Sequence, residues 1–371
     1  MVKVCHMTSV HNSNDVRIFR KECTSLAKDG YDTYLVAPGE NREENGVHVI
    51  GVGQPSGGRI LRMTALSKKV YKTALAIDAD IYHVHDPELL PYGVKLKRKG
   101  KRVIFDSHEN TLEQIREKVW IPRYIRGEVS YVYKTYARRA FAEYDWLISV
   151  TPSICDSLRR CNKNVVQITN YPIINELTTY NQKEKGRTLC FTGGVNADWC
   201  LKEVIQALDR LNDVSITLCG PADNDYLESL ELLPAWNKVN YRGRVTHSEA
   251  ESVQSSAAIG MAVHVYSQNY CGKTGTLGST KLYEYMLSGI PVICTNFDLW
   301  RETIRKYQCG ICVEPNDITA IAEAIRYLLE NPDIAAQMGK NGAYAVMEKY
   351  NWATQESVLF DLYDTLCRES N

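Results

Sequence analysis

The sequence predicts an α/β protein made of two doubly wound parallel sheets in tandem. Three observations carry that expectation. Short apolar runs alternate with amphipathic helical stretches from one end to the other, the pattern of successive βαβ units. The alternation breaks once: Asn170-Tyr-Pro-Ile-Ile leads into a polar, aperiodic stretch at 176–187, after which a second series begins. At 371 residues the chain is long enough for two domains, each with its own core.

The first series places strands at 2–9, 31–37, 47–52, 80–85, 102–107, 146–150 and 165–169, each an apolar, β-branched-rich run. The second places them at 189–192, 215–219, 239–242, 259–264, 291–295 and 311–313. Thr246-His-Ser-Glu249 has the spacing of a capping box and starts a helix. Residues 317–329, 333–348 and 352–367 form three successive terminal helices. The expected domains are 1–172 and 173–350, with 351–371 as a closing helix.

Hydrophobic content of 44% and charged content of 24% are ordinary for a globular protein. No apolar run approaches the ~18 residues of a membrane span. Met1-Val-Lys-Val-Cys runs directly into a strand and does not resemble a signal peptide. The twelve cysteines are scattered, with Cys5, Cys190, Cys219 and Cys294 inside apolar segments. Cys309 and Cys312 have C-x-x-C spacing but no second pair or histidine cluster beside them in sequence. The expectation is reduced, buried thiols in a cytoplasmic protein. Residues 1–172 hold 27 Lys and Arg against 19 Asp and Glu, and the remainder 17 against 25. The basic half suits an anionic partner.

The stretch 278–296 carries the most chemistry. Leu282, Tyr285, Met286 and Leu287 recur near helical spacing, Gly289 closes the helix, and Pro291-Val-Ile-Cys starts a strand. Gly278, Ser279 and Thr280 supply small residues and capping hydroxyls at the helix start, where free N–H groups favour anions. Lys281 adds a positive charge, and Glu284 projects from the same side. A diphosphate site beside a carboxylate able to bind ribose hydroxyls describes a nucleotide-sugar pocket. Gly193-Gly194, after the first strand of the second series, lets backbone approach phosphate closely. In isolation such a pair is equally a simple turn.

The stretch 278–296 resembles the donor-site motif of glycosyltransferase family 4, retaining enzymes of the GT-B fold. Their motif has two glutamates separated by seven residues. Glu284 matches the second, and Thr276 stands where the first belongs. The chain is similar to a subset with Lys-Leu-x-Glu-Tyr. The resemblance spans nearly the whole chain and is weakest at 110–144. It implies two Rossmann-like domains facing a cleft, a last helix returning to the first domain, and donor contacts from Gly193, Gly194, Gly278, Ser279, Thr280, Lys281, Leu282 and Glu284. An arginine usual after the glycine loop is missing, and Lys202 is offset, so phosphate charge falls to Lys281. His108 would lie against the donor sugar, held or polarised by Asp106 and Glu109, making His108, Glu284 and Lys281 the catalytic set.

His11, Asp15, Arg17, His85 and Asp86, at the ends of first-domain strands, are the expected acceptor contacts. Asn14 or Asp15 caps the following helix, and Arg17 has an alternative role as partner to a nearby acid. His83 and His85 share a strand face, with Asp86 opposite, which argues against a metal there. Asp78-Ala-Asp80 leads into a strand and Asp223-Asn-Asp225 sits at a helix start, so neither suggests a metal-dependent mechanism. No G-x-G-x-x-G follows the first strand, which excludes the usual NAD fingerprint. The basic stretches 59–72, 95–102 and 123–139 match no nucleic-acid module; the last interleaves tyrosines and suits an anionic membrane surface as well as a solvated face.

The expected activity is transfer of a sugar from a nucleotide-sugar donor to a glycan or lipid-linked acceptor in bacterial surface polysaccharide assembly. No cofactor or metal is expected, and no nucleic-acid partner. A nucleotide-sugar 2-epimerase and a catalytically silent sugar-nucleotide-binding subunit are the alternatives. The base, the sugar and the acceptor are not legible.

Overall fold

The computed structural model describes residues 1–54, 58, 61–107, 121–174 and 186–368. The chain forms two compact units, one of residues 1–170 with 352–371, the other of residues 171–351.

The first unit holds eight strands, β1 (Lys3–Met7), β2 (Asp32–Ala37), β3 (Arg42–Glu44), β4 (Val47–Gly51), β5 (Ile81–Val84), β6 (Arg102–Ser107), β7 (Trp146–Ser149) and β8 (Val165–Gln167). Their order is β3-β4-β2-β1-β5-β6-β7-β8, parallel throughout except for β3, which runs antiparallel to β4. The seven expected strands are present, and β3 is the addition. It is a short polar edge strand, too brief and too charged to leave a hydrophobic signature. The last helix, Trp352–Arg368, belongs to this unit. It is fastened by hydrogen bonds from Ser25 to Glu356, from the Trp352 indole to Ser25 Oγ (2.9 Å), and between Tyr363 and His83 (2.9 Å).

The second unit holds β9 (Thr188–Thr192), β10 (Ser215–Cys219), β11 (Val239–Tyr241), β12 (Ile259–Ala262), β13 (Val292–Thr295) and β14 (Gly310–Val313), in the order β11-β10-β9-β12-β13-β14, all parallel. Thr246 and Glu249 form the expected capping box. The core runs along both faces of the sheet, with Phe191, Tyr285, Phe297 and Trp300 fully enclosed. The sheet order reverses between β1 and β5 in the first unit and between β9 and β12 in the second. In such sheets a ligand binds outside the carboxyl ends of the strands at this reversal.

Candidate functional site

In the second unit, the loop after β9 and the helix Thr280–Leu287 meet at that reversal. Tyr285, buried in the middle of the helix, accepts a hydrogen bond from the Thr192 N–H (3.0 Å), tying the helix to the end of β9. Gly260 on β12 leaves room for the Tyr285 ring; a side chain there would strike it. Gly289, at φ +67°, turns the chain out of the helix as expected. Ser279 stands at the N-cap position, yet its hydroxyl makes no capping hydrogen bond. Thr276 is buried: its hydroxyl accepts from Gly278 N–H, and its carbonyl accepts from the Trp300 indole. The residue at the first-glutamate position therefore shapes the turn before the helix.

Lys281 reaches across to the glycine loop. Its ammonium lies 4.3 Å from the centre of the Trp199 ring and 5.6 Å from that of Phe191. Gly193 has φ +146°, and a side chain there would collide with the lysine. The backbone angle at Gly193 is what favours glycine, and a side chain there would also displace the end of Lys281. The Gly193 N–H donates to Cys219 and the Val195 N–H to Pro221, so the loops after β9 and β10 brace each other. Burial pushes the Lys281 ammonium below its ordinary range, with the nearby Glu284 opposing. Leu282 is buried; Gly194, Gly278, Thr280 and Glu284 are partly accessible around the lysine.

Trp199, His264 and Tyr270 belong to this site and were not singled out in the sequence. The Trp199 ring meets His264 edge-on at 4.8 Å, and His264 stacks on Tyr270 at 3.8 Å. Burial lowers the His264 pKa to about 4, and its Nδ1–H donates to the Val265 carbonyl at 2.7 Å. At neutral pH it is uncharged. The available signal was Trp199, an aromatic directly after a glycine loop at a strand end.

The first unit distributes its expected residues differently. Asp15 caps the next helix, accepting from the Arg17 and Ile18 N–H groups. His11 and Asp15 sit together, 3.2 Å apart and partly exposed. Arg17, His85 and Asp86, expected as acceptor contacts, are interior side chains in this structure. Arg17 grips Asp106 through Nε (2.9 Å) and Nη2 (3.1 Å). Asp86 accepts from the Thr8 hydroxyl and the Val10 N–H, pinning the loop after β1. His85 faces inward against His6. These side chains hold the strand ends. His108 and Glu109 lie outside the described residues.

Asp78 adopts φ +54° at a helix end and pairs with Lys101, and Asp80 accepts from the Lys3 N–H. Asp223 is an N-cap, and Asp225 is exposed in the first turn of the same helix. Among the described residues no helix is long and apolar enough to cross a membrane. The helix Arg126–Glu143 carries exposed Tyr131, Val132 and Tyr136, preceded by exposed Tyr124 and Ile125.

Comparison with known proteins agrees with this architecture. Residues 175–344 match the model of glycosyl transferases group 1, and residues 17–170 that of Glycosyltransferase Family 4. A phosphatidyl-myo-inositol mannosyltransferase from Mycobacterium leprae is 22% identical over 357 residues, which cover 91% of this chain and 89% of the relative. Sucrose-phosphate synthase from Thermosynechococcus elongatus superposes with a TM-score of 0.75 at 16% identity, over 100% of both chains. HepE from Anabaena, solved with UDP and glucose, gives 0.73 at 13% identity, over 98% of this chain and 100% of its own. The chain is a glycosyltransferase of the GT-B fold. The two matched models support its place in family 4.

Proposed function

We propose that this glycosyltransferase is a retaining enzyme of the Lys-Leu-x-Glu-Tyr subset, moving a sugar from a nucleotide-sugar donor to a glycan or lipid-linked acceptor in cell-surface polysaccharide or glycolipid assembly. The observation that carries this is the Lys281 ammonium set against Gly193 at the sheet reversal, beside the start of the helix Thr280–Leu287. As the glycosidic bond to the donor breaks, negative charge grows on the diphosphate. Lys281, the N–H groups at the helix start and the Gly193-Gly194 loop are the groups that stabilise it. Glu284 binds the ribose hydroxyls. His108 contacts the sugar, and His11 with Asp15 meets the acceptor. Retention proceeds by attack on the leaving-group face, the departing phosphate taking the acceptor's proton. The donor site needs no divalent ion.

The acceptor preference rests on the helix Arg126–Glu143. Its exposed aromatic and aliphatic side chains stand among Arg123, Arg126, Lys134, Arg138 and Arg139, a composition suited to an anionic lipid surface. The setting we propose is the cytoplasmic face of a membrane. The test is a binding panel of nucleoside diphosphates by calorimetry, followed by transfer with the preferred sugar donor and NMR assignment of the product anomer. Binding of no nucleotide overturns the donor site. An inverted anomer overturns retention.

A further inference from the structure

A second cluster lies inside the first unit and shares no residue with the donor site. His6 on β1, His83 on β5, His85 just beyond β5 and Glu22 on the helix that follows β1 each offer a ligand atom, all within 4.8 Å of one another and all buried. Strand order creates the histidine face: β1 and β5 are parallel neighbours, and His6 pairs with His83 in register. The helix supplies the carboxylate by an unusual route. Its first part, Val16–Cys23, is π-helical, with the Arg20 N–H reaching back to the Asp15 carbonyl. Bonding at i→i+5 brings residues five apart onto one side, here Arg17 and Glu22. Such turns recur at functional sites.

We propose that His6, Glu22, His83 and His85 bind a divalent transition-metal ion, with zinc the best match. His6 Nδ1 and His85 Nε2 are 2.9 Å apart, and Glu22 Oε2 lies 3.9 Å from the first and 3.8 Å from the second. A point equidistant from three atoms so spaced is about 2.1 Å from each, the length of zinc bonds to imidazole nitrogen and carboxylate oxygen. His83 offers a fourth ligand atom within 4.8 Å of the others. Three imidazoles and one carboxylate favour zinc and its first-row neighbours over calcium or magnesium. The surroundings fit the outer partners that orient metal ligands. The Tyr363 hydroxyl holds His83 Nδ1 at 2.9 Å, Asp106 faces His85 Nδ1 at 3.7 Å, and Arg17 holds Glu22 Oε1 at 3.0 Å, leaving Oε2 toward the histidines. Asp106 and Glu22 together carry one charge more than Arg17 balances. A buried excess charge is costly, so a cation or a proton must neutralise it. Four protein ligands and full burial describe a structural ion, which joins β1, the helix after it and β5. It takes no part in sugar transfer.

The test uses the full chain without an affinity tag. Elemental analysis of protein from zinc-supplemented cells is expected to find one zinc per chain. Refolding from guanidinium with zinc is expected to raise the melting temperature above that after refolding with chelator, and cobalt in place of zinc to show the visible absorption of a tetrahedral site. Glu22→Gln and His85→Gln lose the metal, while His48→Gln, at a partly exposed histidine outside the cluster, keeps it. Folded protein with under about a tenth of an equivalent after zinc refolding, and the same melting temperature by both routes, overturns the proposal and leaves a proton on the cluster. Full retention of zinc in both ligand variants overturns it as well, because the ion is then elsewhere.

Discussion

Lys281→Met separates a binding lysine from a structural one, because the structure gives its two effects different sizes. Methionine keeps the length and the apolar stem, and its sulfur still packs on an aromatic face. What disappears is the charge. In the free protein that charge gains from the Trp199 ring at 4.3 Å, a cation–π contact worth ~0.5–2 kcal/mol. It also loses from burial, which pushes the ammonium below its ordinary range. The two terms oppose, so folding stability should change by no more than ~1 kcal/mol, a few degrees in melting temperature for a unit of this size. With nucleotide bound, a charge-assisted contact to phosphate is lost, which costs ~1.5–3 kcal/mol, roughly ten- to a hundredfold or more in affinity. Calorimetry with the preferred nucleoside diphosphate, paired with thermal melts, measures both. Affinity within twofold of the parent would refute the assignment. So would an affinity loss accompanied by a drop of ten degrees or more, on the order expected of a core defect, since the lysine would then be holding the fold.

His264 should make stability fall in acid. Its folded pKa is depressed to about 4 by burial, with Lys281 adding to the depression and Asp198 opposing it, so its contribution is complete above the unfolded value near 6.5 and is lost as pH falls towards 4. His264→Gln should lose less melting temperature between pH 7 and pH 5 than the parent, and an equal loss would assign the acid sensitivity elsewhere. His108→Ala should cut turnover by ~10²–10³ while nucleotide affinity stays near normal, as for loss of one transition-state contact; matched small losses would make the histidine structural. Transfer should persist when the native enzyme is assayed in EDTA, and activity lost there but restored by manganese would return Asp223 and Asp225 to consideration. Binding to vesicles of anionic lipid should weaken when Arg138 and Arg139 are both replaced by glutamine, at ~1 kcal/mol per charge; unchanged sedimentation would leave the helix Arg126–Glu143 a solvated face.

The fold was legible because each parallel strand is buried on both faces and must be apolar along its length. Such runs as Tyr-Leu-Val-Ala or Val-Ile-Cys-Thr stand out against amphipathic helices. Strand β3 shows the limit. Arg42-Glu-Glu carries no apolar signal; Arg42 is held by a guanidinium bond to Ser13 Oγ and by stacking over Phe19, both distant in sequence. The π-helical turn is equally silent. Its residues Val16–Cys23 have ordinary helical amphipathicity, and the extra residue per turn is set by what Arg17 and Glu22 meet inside.

The site divides along the same line. Lys281 and Gly193 could be found because each stands at a recognisable local device, a helix start and a glycine turn at a strand end. Their contact could be expected only through strand order, which sets β9 beside β12 and so brings the loop and the helix together. Trp199 had the same placement but an apolar side chain, and an aromatic after a turn is usually core. Its use becomes visible only once the lysine is seen over its face. For Arg17, the sequence allowed a ligand contact or a nearby acid; the acid is Asp106, 89 residues away on β6. His85 is enclosed for a related reason. Strand alternation correctly put His83 and His85 on one face, but it could not say that the neighbouring strand brings His6 to that face, or that a helix closes it with Glu22. Those partners turn two histidines at a strand end from a surface pair into the interior of a four-residue cluster. The sequence argument against a metal considered one strand, and the cluster is assembled from two strands and a helix.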